Sequence, residues 1–192
     1  FIALLIGMMA ATVIAYRSGP ATRAFDAMLM LPLGTSAVTI GFGFLVALDA
    51  PIDLRTSVWL VPIAHALIAI PFVVRTTVPV MRSVRHRLRE AAAMLGASPT
   101  AAWREVDLPI VARAAFVGAG FAFAVSLGEF GATSFIARPD SPTLPVAIFR
   151  LLGQPGSVTF ARAMALATIL MVITAAVVAG IDRLRIGDLG DF

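Results

Sequence analysis

Residues 159–181 read TFARAMALATILMVITAAVVAGI. The stretch exceeds the ~20 apolar residues that a helix needs to cross a hydrocarbon layer. Four more apolar runs lie upstream, at about 1–16, 27–48, 57–81 and 109–137. All but the first are long enough to span, and the first is short in the way a cut end would be. A span has to satisfy its own backbone hydrogen bonds, so each run is expected to be a helix. Composition agrees: 59% of the 192 residues are hydrophobic and the mean hydropathy is +0.94, against about 45–50% apolar in a soluble domain. The fold class expected is all-α, a polytopic membrane helix bundle with five spans over one domain, 1–192.

The formal net charge is +4 and the pI about 11.2. On a soluble protein that would suggest nucleic acid. Here the charges lie in short stretches between apolar runs, which argues for a lipid bilayer and against nucleic acid as the partner. All 15 cationic side chains are arginine. Without lysine, no phosphate loop of the GxxxxGK[ST] type can form. Without cysteine, thiol catalysis, disulfides and thiolate metal sites are excluded. Arg82, Arg85, Arg87, Arg89, Arg104 and Arg113 crowd the connection between the third and fourth runs. Lys and Arg accumulate in cytoplasmic loops, so the segment 82–108 is expected inside the cell. Alternation then places Arg17, Arg23 and the C-terminus with Arg183 and Arg185 inside too. Arg55, Arg138 and Arg150 fall outside, beside Asp49, Asp53 and Asp140.

Segment 82–108 is too polar to span. Val84, Leu88, Ala92 and Leu95 share a face at helical spacing, so its first half is an amphipathic helix. Gly96 stops that helix by supplying a left-handed residue. Ser98-Pro99 restarts one, with a capping hydroxyl and a proline in the first turn. A second short helix to about Val106 follows, and Leu108-Pro109 opens the fourth span. The expected unit is an elbow on the cytoplasmic surface.

The elbow resembles a known signature. Glu90-Ala91-Ala92, Gly96 and Val106-Asp107-Leu108-Pro109 fit the pattern E-A-A-x-x-x-G-x9-I-x-L-P, with Val106 in place of isoleucine. This is the cytoplasmic loop motif of permease subunits of bacterial binding-protein-dependent (type I) ABC importers. Leu31–Ser36 resembles the start of that family's middle span. Ser126–Thr133 resembles a stretch of permeases for thiamine, ferric iron, sulfate and molybdate. Thr143-Leu144-Pro145 with a short outer helix points to the thiamine and ferric-iron branch. The resemblance implies a six-helix bundle of which the start is missing here, in a bacterial inner membrane. It implies a translocation path without catalysis or cofactor, and coupling to an ATPase dimer through Glu90, Ala91, Ala92, Gly96, Val106, Leu108 and Pro109. The implied partners are that ATPase, an extracytoplasmic substrate-binding protein and a second permease half, fused or separate. Thiamine or ferric iron is the substrate it implies first. A sulfate- or molybdate-type oxyanion permease is the alternative, and a membrane scaffold without transport is the rival from another class.

Glu129 is the carboxylate read inside a span, and intramembrane ionisable groups are functional candidates. It lies 20 residues past Pro109, roughly 30 Å at helical rise, beside Gly128 and Gly131, which suggest a helix break. With Ser126 and Thr133 it is a candidate for the translocation path; a structural carboxylate at the outer boundary is the other reading. Residues 124–128 echo a G-x-S-x-G elbow, which needs a strand-to-helix turn and a partner histidine; here the echo falls inside a spanning helix, and no catalysis is expected of it. His65 and His86 lack metal-ligand spacing, so no metal site is expected. A secondary transporter would show an inverted repeat and mid-membrane charges, and neither is read here.

Overall fold

In a computed structural model the chain is helical, with residues 1–50, 53–55, 57–84 and 86–186 described and no strand among them. Arg85 of the arginine cluster and the tail 187–192 lie outside the described residues, as do the side chains of His86, Arg87 and Arg185. The helices are α1 (Ile2–Tyr16), α2 (Pro20–Gly34), α3 (Ala37–Ala47), α4 (Leu60–Ser83), α5 (His86–Met94), α6 (Pro99–Ala102), α7 (Leu108–Gly128), α8 (Thr133–Ile136), α9 (Leu144–Leu152) and α10 (Ser157–Ile186). A π-helical turn, Trp103–Asp107, joins α6 to α7.

Among the described residues three helices are long and apolar enough to cross a membrane: Leu60–Ser83, the continuous rod Pro99–Gly128, and Ser157–Arg183. The second apolar run is not a straight span. It divides into α2 and α3, bent 104° to one another. Thr35 and Ser36 are extended at the break, and Ser36 starts α3. Helix α2 also begins at Pro20, well before the apolar run, because Pro20 is pre-set for a first helical turn. The fourth run stops at Gly128 and reforms as α8, a break of the kind Gly128 and Gly131 suggest. In α4, by contrast, Pro71 and Pro79 sit inside one unbroken helix.

Helix α4 is the centre of the bundle. One stripe of it (Ala66, Ala69, Ile70, Val73, Val74, Val78, Met81) is buried against α1 (Ala3, Ala10, Ala11, Ile14) and α7 (Val111, Ala122). Small residues bring these backbones close: a Cβ on Gly118 would lie 3.2 Å from Val73 Cα. A second cluster joins the start of α4 (Leu60, Ala64) to Ala132 and Ile136, with Phe44, Leu45 and Leu48 packed on it. Helix α10 rests on α7 and α9, and only 6% of its most apolar window is buried. Its side chains Ile169, Met171, Val172 and Val178 therefore face outward, as lipid or a second bundle requires.

Candidate coupling elbow and translocation face

The spacing of Glu90-Ala91-Ala92 and Gly96 has a local cause. Gly96 has φ +86°, which a side chain rarely adopts. Its N–H donates to Ala93 O at 2.9 Å and that of Ala97 to Ala92 O at 2.9 Å. These two bonds form a Schellman stop, in which the glycine must fall four residues after the carbonyl that closes the wider ring. Ala92 and Gly96 therefore define the end of α5. Two residues on, Ser98 Oγ accepts from the Ala101 N–H at 3.3 Å and Pro99 fills the first turn of α6. The sharp turn and restart stand as read from sequence.

The rest of the elbow differs from that reading. The second helix does not lie apart from the span: α6, the π turn and α7 are one helix of 30 residues. Pro109 has no N–H to continue an α ladder, and its ring crowds the carbonyl four residues back. The π turn just before it, closed by the Leu108 N–H on Trp103 O, widens the helix there. Val106, Leu108 and Pro109 thus lie where this widened turn passes into the span. The expected apolar face of α5 is largely uncovered as well. Val84 is buried, but Leu88 is exposed and Met94 and Leu95 are each 89% exposed. Glu90 and Ala91 are exposed beside them.

One clamp holds the elbow to the bundle, and the sequence pattern did not single it out. Arg89 Nε donates to both carboxylate oxygens of Asp107, at 2.9 and 3.0 Å, and its Nη2 donates to Asp107 Oδ1. Asp107 is 1% exposed. The same guanidinium donates to Tyr16 Oη at 3.2 Å and lies 5.5 Å from that ring. Asp107's hydrogen bonds push the Arg89 pKa above its ordinary value, so the group stays cationic. Nearby, Arg82 Nη2 donates to Ile14 O at 2.9 Å. The ends of α1 and α4, helix α5 and the base of α7 are thereby joined around a cavity of about 440 Å³ lined by Tyr16, Arg89, Glu90, Trp103 and Asp107.

At the other end of α7 the path candidates separate. Glu129 is buried, and its carboxylate accepts from the N–H groups of Ala132 (2.7 Å) and Thr133 (3.0 Å). The Thr133 hydroxyl donates back to Glu129 O at 3.0 Å. Glu129 and Thr133 form a cap that ties the break between α7 and α8. Ser126 does something different: it lines a cavity of about 590 Å³ with His65, Phe123 and the first residues of α1. His65 Nδ1 is 2.6 Å from Ser126 Oγ, and its Nε2, without a hydrogen bond, is 3.7 Å from Glu129 Oε2. The histidine read as solitary belongs with Ser126 and Glu129. Among the described residues no cluster of His, Cys, Asp or Glu could hold a metal.

Charge also lies where the hydropathy reading saw none. Arg75 stands inside α4 and Asp26 inside α2, with Arg75 Nη1 3.5 Å from Asp26 Oδ2. A single charge in an apolar window leaves its mean hydropathy high, and Asp26 falls one residue before the run read as the second span.

Residues 3–184 match the protein family described as the binding-protein-dependent transport system inner membrane component. The chain belongs to that family. It is a multi-pass inner-membrane transport subunit of an ABC importer, not an enzyme, and membership implies an ATPase and a substrate-binding protein as partners. It is similar to a Salmonella typhimurium permease named for 2-aminoethylphosphonate transport, 30% identical over 183 residues, 95% of this chain and 68% of the relative. A sulfate transport system permease protein of the same organism is 34% identical over 142 residues, 68% of this chain and 51% of that one. A molybdenum transport system permease protein of Mycobacterium tuberculosis is 31% identical over 193 residues, 93% and 71% of the two chains.

Proposed function

We propose that this permease carries a small oxyanion through the membrane, and that the 82–108 elbow couples it to a cytoplasmic ATPase dimer. The relatives named for phosphonate, sulfate and molybdenum support the oxyanion alternative over the thiamine or ferric iron suggested by Thr143-Leu144-Pro145 and α9. Substrate arrives on an outer binding protein and passes between this bundle and a second permease half.

The observation that carries the coupling role is mechanical. Helix α5 presents Glu90, Ala91, Met94 and Leu95 outward, a small and partly apolar surface that suits a cleft. It is locked to Asp107 at the root of a rod that continues to Gly128. At 1.5 Å per residue that rod is about 45 Å long. A push on α5 therefore reaches the Glu129 cap at its far end without crossing a flexible joint.

The test is co-purification of the ATPase with Gly96→Ala and Glu90→Lys, followed by binding-protein-stimulated ATP hydrolysis in membranes. Gly96→Ala forces a side chain into positive φ, at roughly 1 kcal/mol or more, and misaims α5. Glu90→Lys reverses the charge on the docking surface. Both variants should insert normally and lose ATPase binding or stimulation. Parental coupling in both would leave the elbow without this role.

A further inference from the structure

The Arg75–Asp26 pair is poorly matched for an ion pair that only holds helices together. Charge-assisted N–H···O bonds close to about 2.7–2.9 Å, yet this pair stands at 3.5 Å. The Arg75 Nε–H is donated to Met30 Sδ at 3.0 Å, and a thioether is a weak acceptor. Asp26 Oδ1 is buried and accepts no hydrogen bond. Around these groups is an open groove of about 450 Å³, lined by Arg23, Asp26, Met30, Gly34, Thr35 and Arg75. Its lining holds two arginines and one carboxylate, so it carries net positive charge.

Its position adds weight. Arg75 lies eight residues before the end of α4 at Ser83, about 12 Å along the helix. The core stripe of α4 runs along another face, and α2 has no buried residue. The Arg75 side chain is 56% exposed. A charge held at that depth and facing lipid is costly; such residues turn to a bundle interior or a water-filled cavity and mark transport paths.

The geometry points to Arg75, with Arg23 beside it, as an oxyanion-binding site on the translocation face, with Asp26 as a counter-ion that the anion displaces. This rests on the oxyanion reading above. Arginine suits the task because its planar fork meets tetrahedral oxyanions with paired N–H bonds. The loose Asp26 contact suits it as well. It keeps the guanidinium compensated when the path is empty, and its competition keeps binding weak enough for release.

The experiment uses the whole importer, both permease halves with ATPase and binding protein, reconstituted in vesicles. Uptake of radiolabelled sulfate, molybdate and 2-aminoethylphosphonate is measured. For the anion that the parent carries, Arg75→Gln should lower uptake roughly tenfold or more, the weight of one hydrogen bond to a charged group. Arg75→Lys should recover part of it. Asp26→Asn/Arg75→Gln, a neutral pair of nearly the same shape, should assemble with the ATPase and still lose uptake by the same factor. Parental uptake in the double variant would make the pair purely structural and overturn the site. Parental uptake in Arg75→Gln would do the same, as expected of an arginine that only holds a lipid phosphate. A parent that carries none of the three anions would overturn the oxyanion reading itself, and the site with it.

Discussion

Asp107 shows how one residue can matter more than its place between two motif positions suggests. Its side chain is almost fully removed from water and carries three hydrogen bonds from a single arginine. Removing one partner of a buried pair strands the other charge, at about 3–5 kcal/mol. Arg89 keeps 32% exposure, so solvent screens part of this and the low end applies. Arg89→Ala should lower the unfolding free energy of the purified chain by about 3 kcal/mol, read by denaturant titration in detergent. Asp107→Ala should cost a similar amount, and the double variant clearly less than the sum, because neither charge is then stranded. Additive losses would show that the two side chains do not act as a pair. The raised Arg89 pKa also fixes a sign. Stability from a cation with a raised pKa is present below its unfolded value and lost only as pH rises through the folded one. Both lie above the usual alkaline range, so the clamp should persist from neutral to alkaline pH.

Among the elements, α3 meets the start of α8 in close backbone contact. A Cβ on Gly41 would lie 2.6 Å from both Cα and O of Ala132, and backbone cannot step aside as a flexible side chain can. Gly41→Ala should therefore cost about 1–3 kcal/mol, the usual penalty for overpacking. Gly43, one turn fragment away in the same helix, meets nothing within 4 Å. Gly43→Ala should be neutral or stabilising by up to about 1 kcal/mol, from helix propensity. Melting temperatures of the two purified variants give the comparison, and equal shifts would remove the contact argument. What was legible at this scale follows from the range of the signal. The turn at Gly96 and the restart at Ser98 were readable because each is written within a few residues. The 104° break at Thr35–Ser36 was not, because hydropathy measures how apolar a stretch is and not its direction. The continuity of α6 with α7 was hidden by Pro109, which ordinarily marks a helix start and here sits behind a π turn. In the candidate sites, the elbow motif was visible as a pattern. The Arg89–Asp107 clamp and the meeting of His65 with Ser126 were not, since they join residues 18 and 61 positions apart.

At the scale of the whole molecule the open quantity is which way the bundle faces, and the structure makes it testable with two residues. The rod Pro99–Gly128 is about 45 Å long by helical rise against a hydrocarbon core of about 30 Å, so both its ends emerge. Ser98 caps the start of the rod, and Asp140 follows the α8 break beyond its far end; both are exposed. A rod that crosses the membrane, with the chain beyond it staying on the far side, puts them on opposite sides. We propose that Ser98 lies in the cytoplasm, on the strength of the arginines between positions 82 and 113 and the positive-inside rule. The chain has no cysteine, so a single introduced thiol has no background. In intact cells stripped of the outer membrane, an impermeant maleimide should label Asp140→Cys and spare Ser98→Cys. Permeabilisation should then expose Ser98→Cys to the same reagent. Labelling of Ser98→Cys from outside would invert the bundle and put the elbow beyond reach of any cytoplasmic ATPase. Labelling of both from one side would show either that the rod does not cross the membrane or that the chain folds back across it between Gly128 and Asp140.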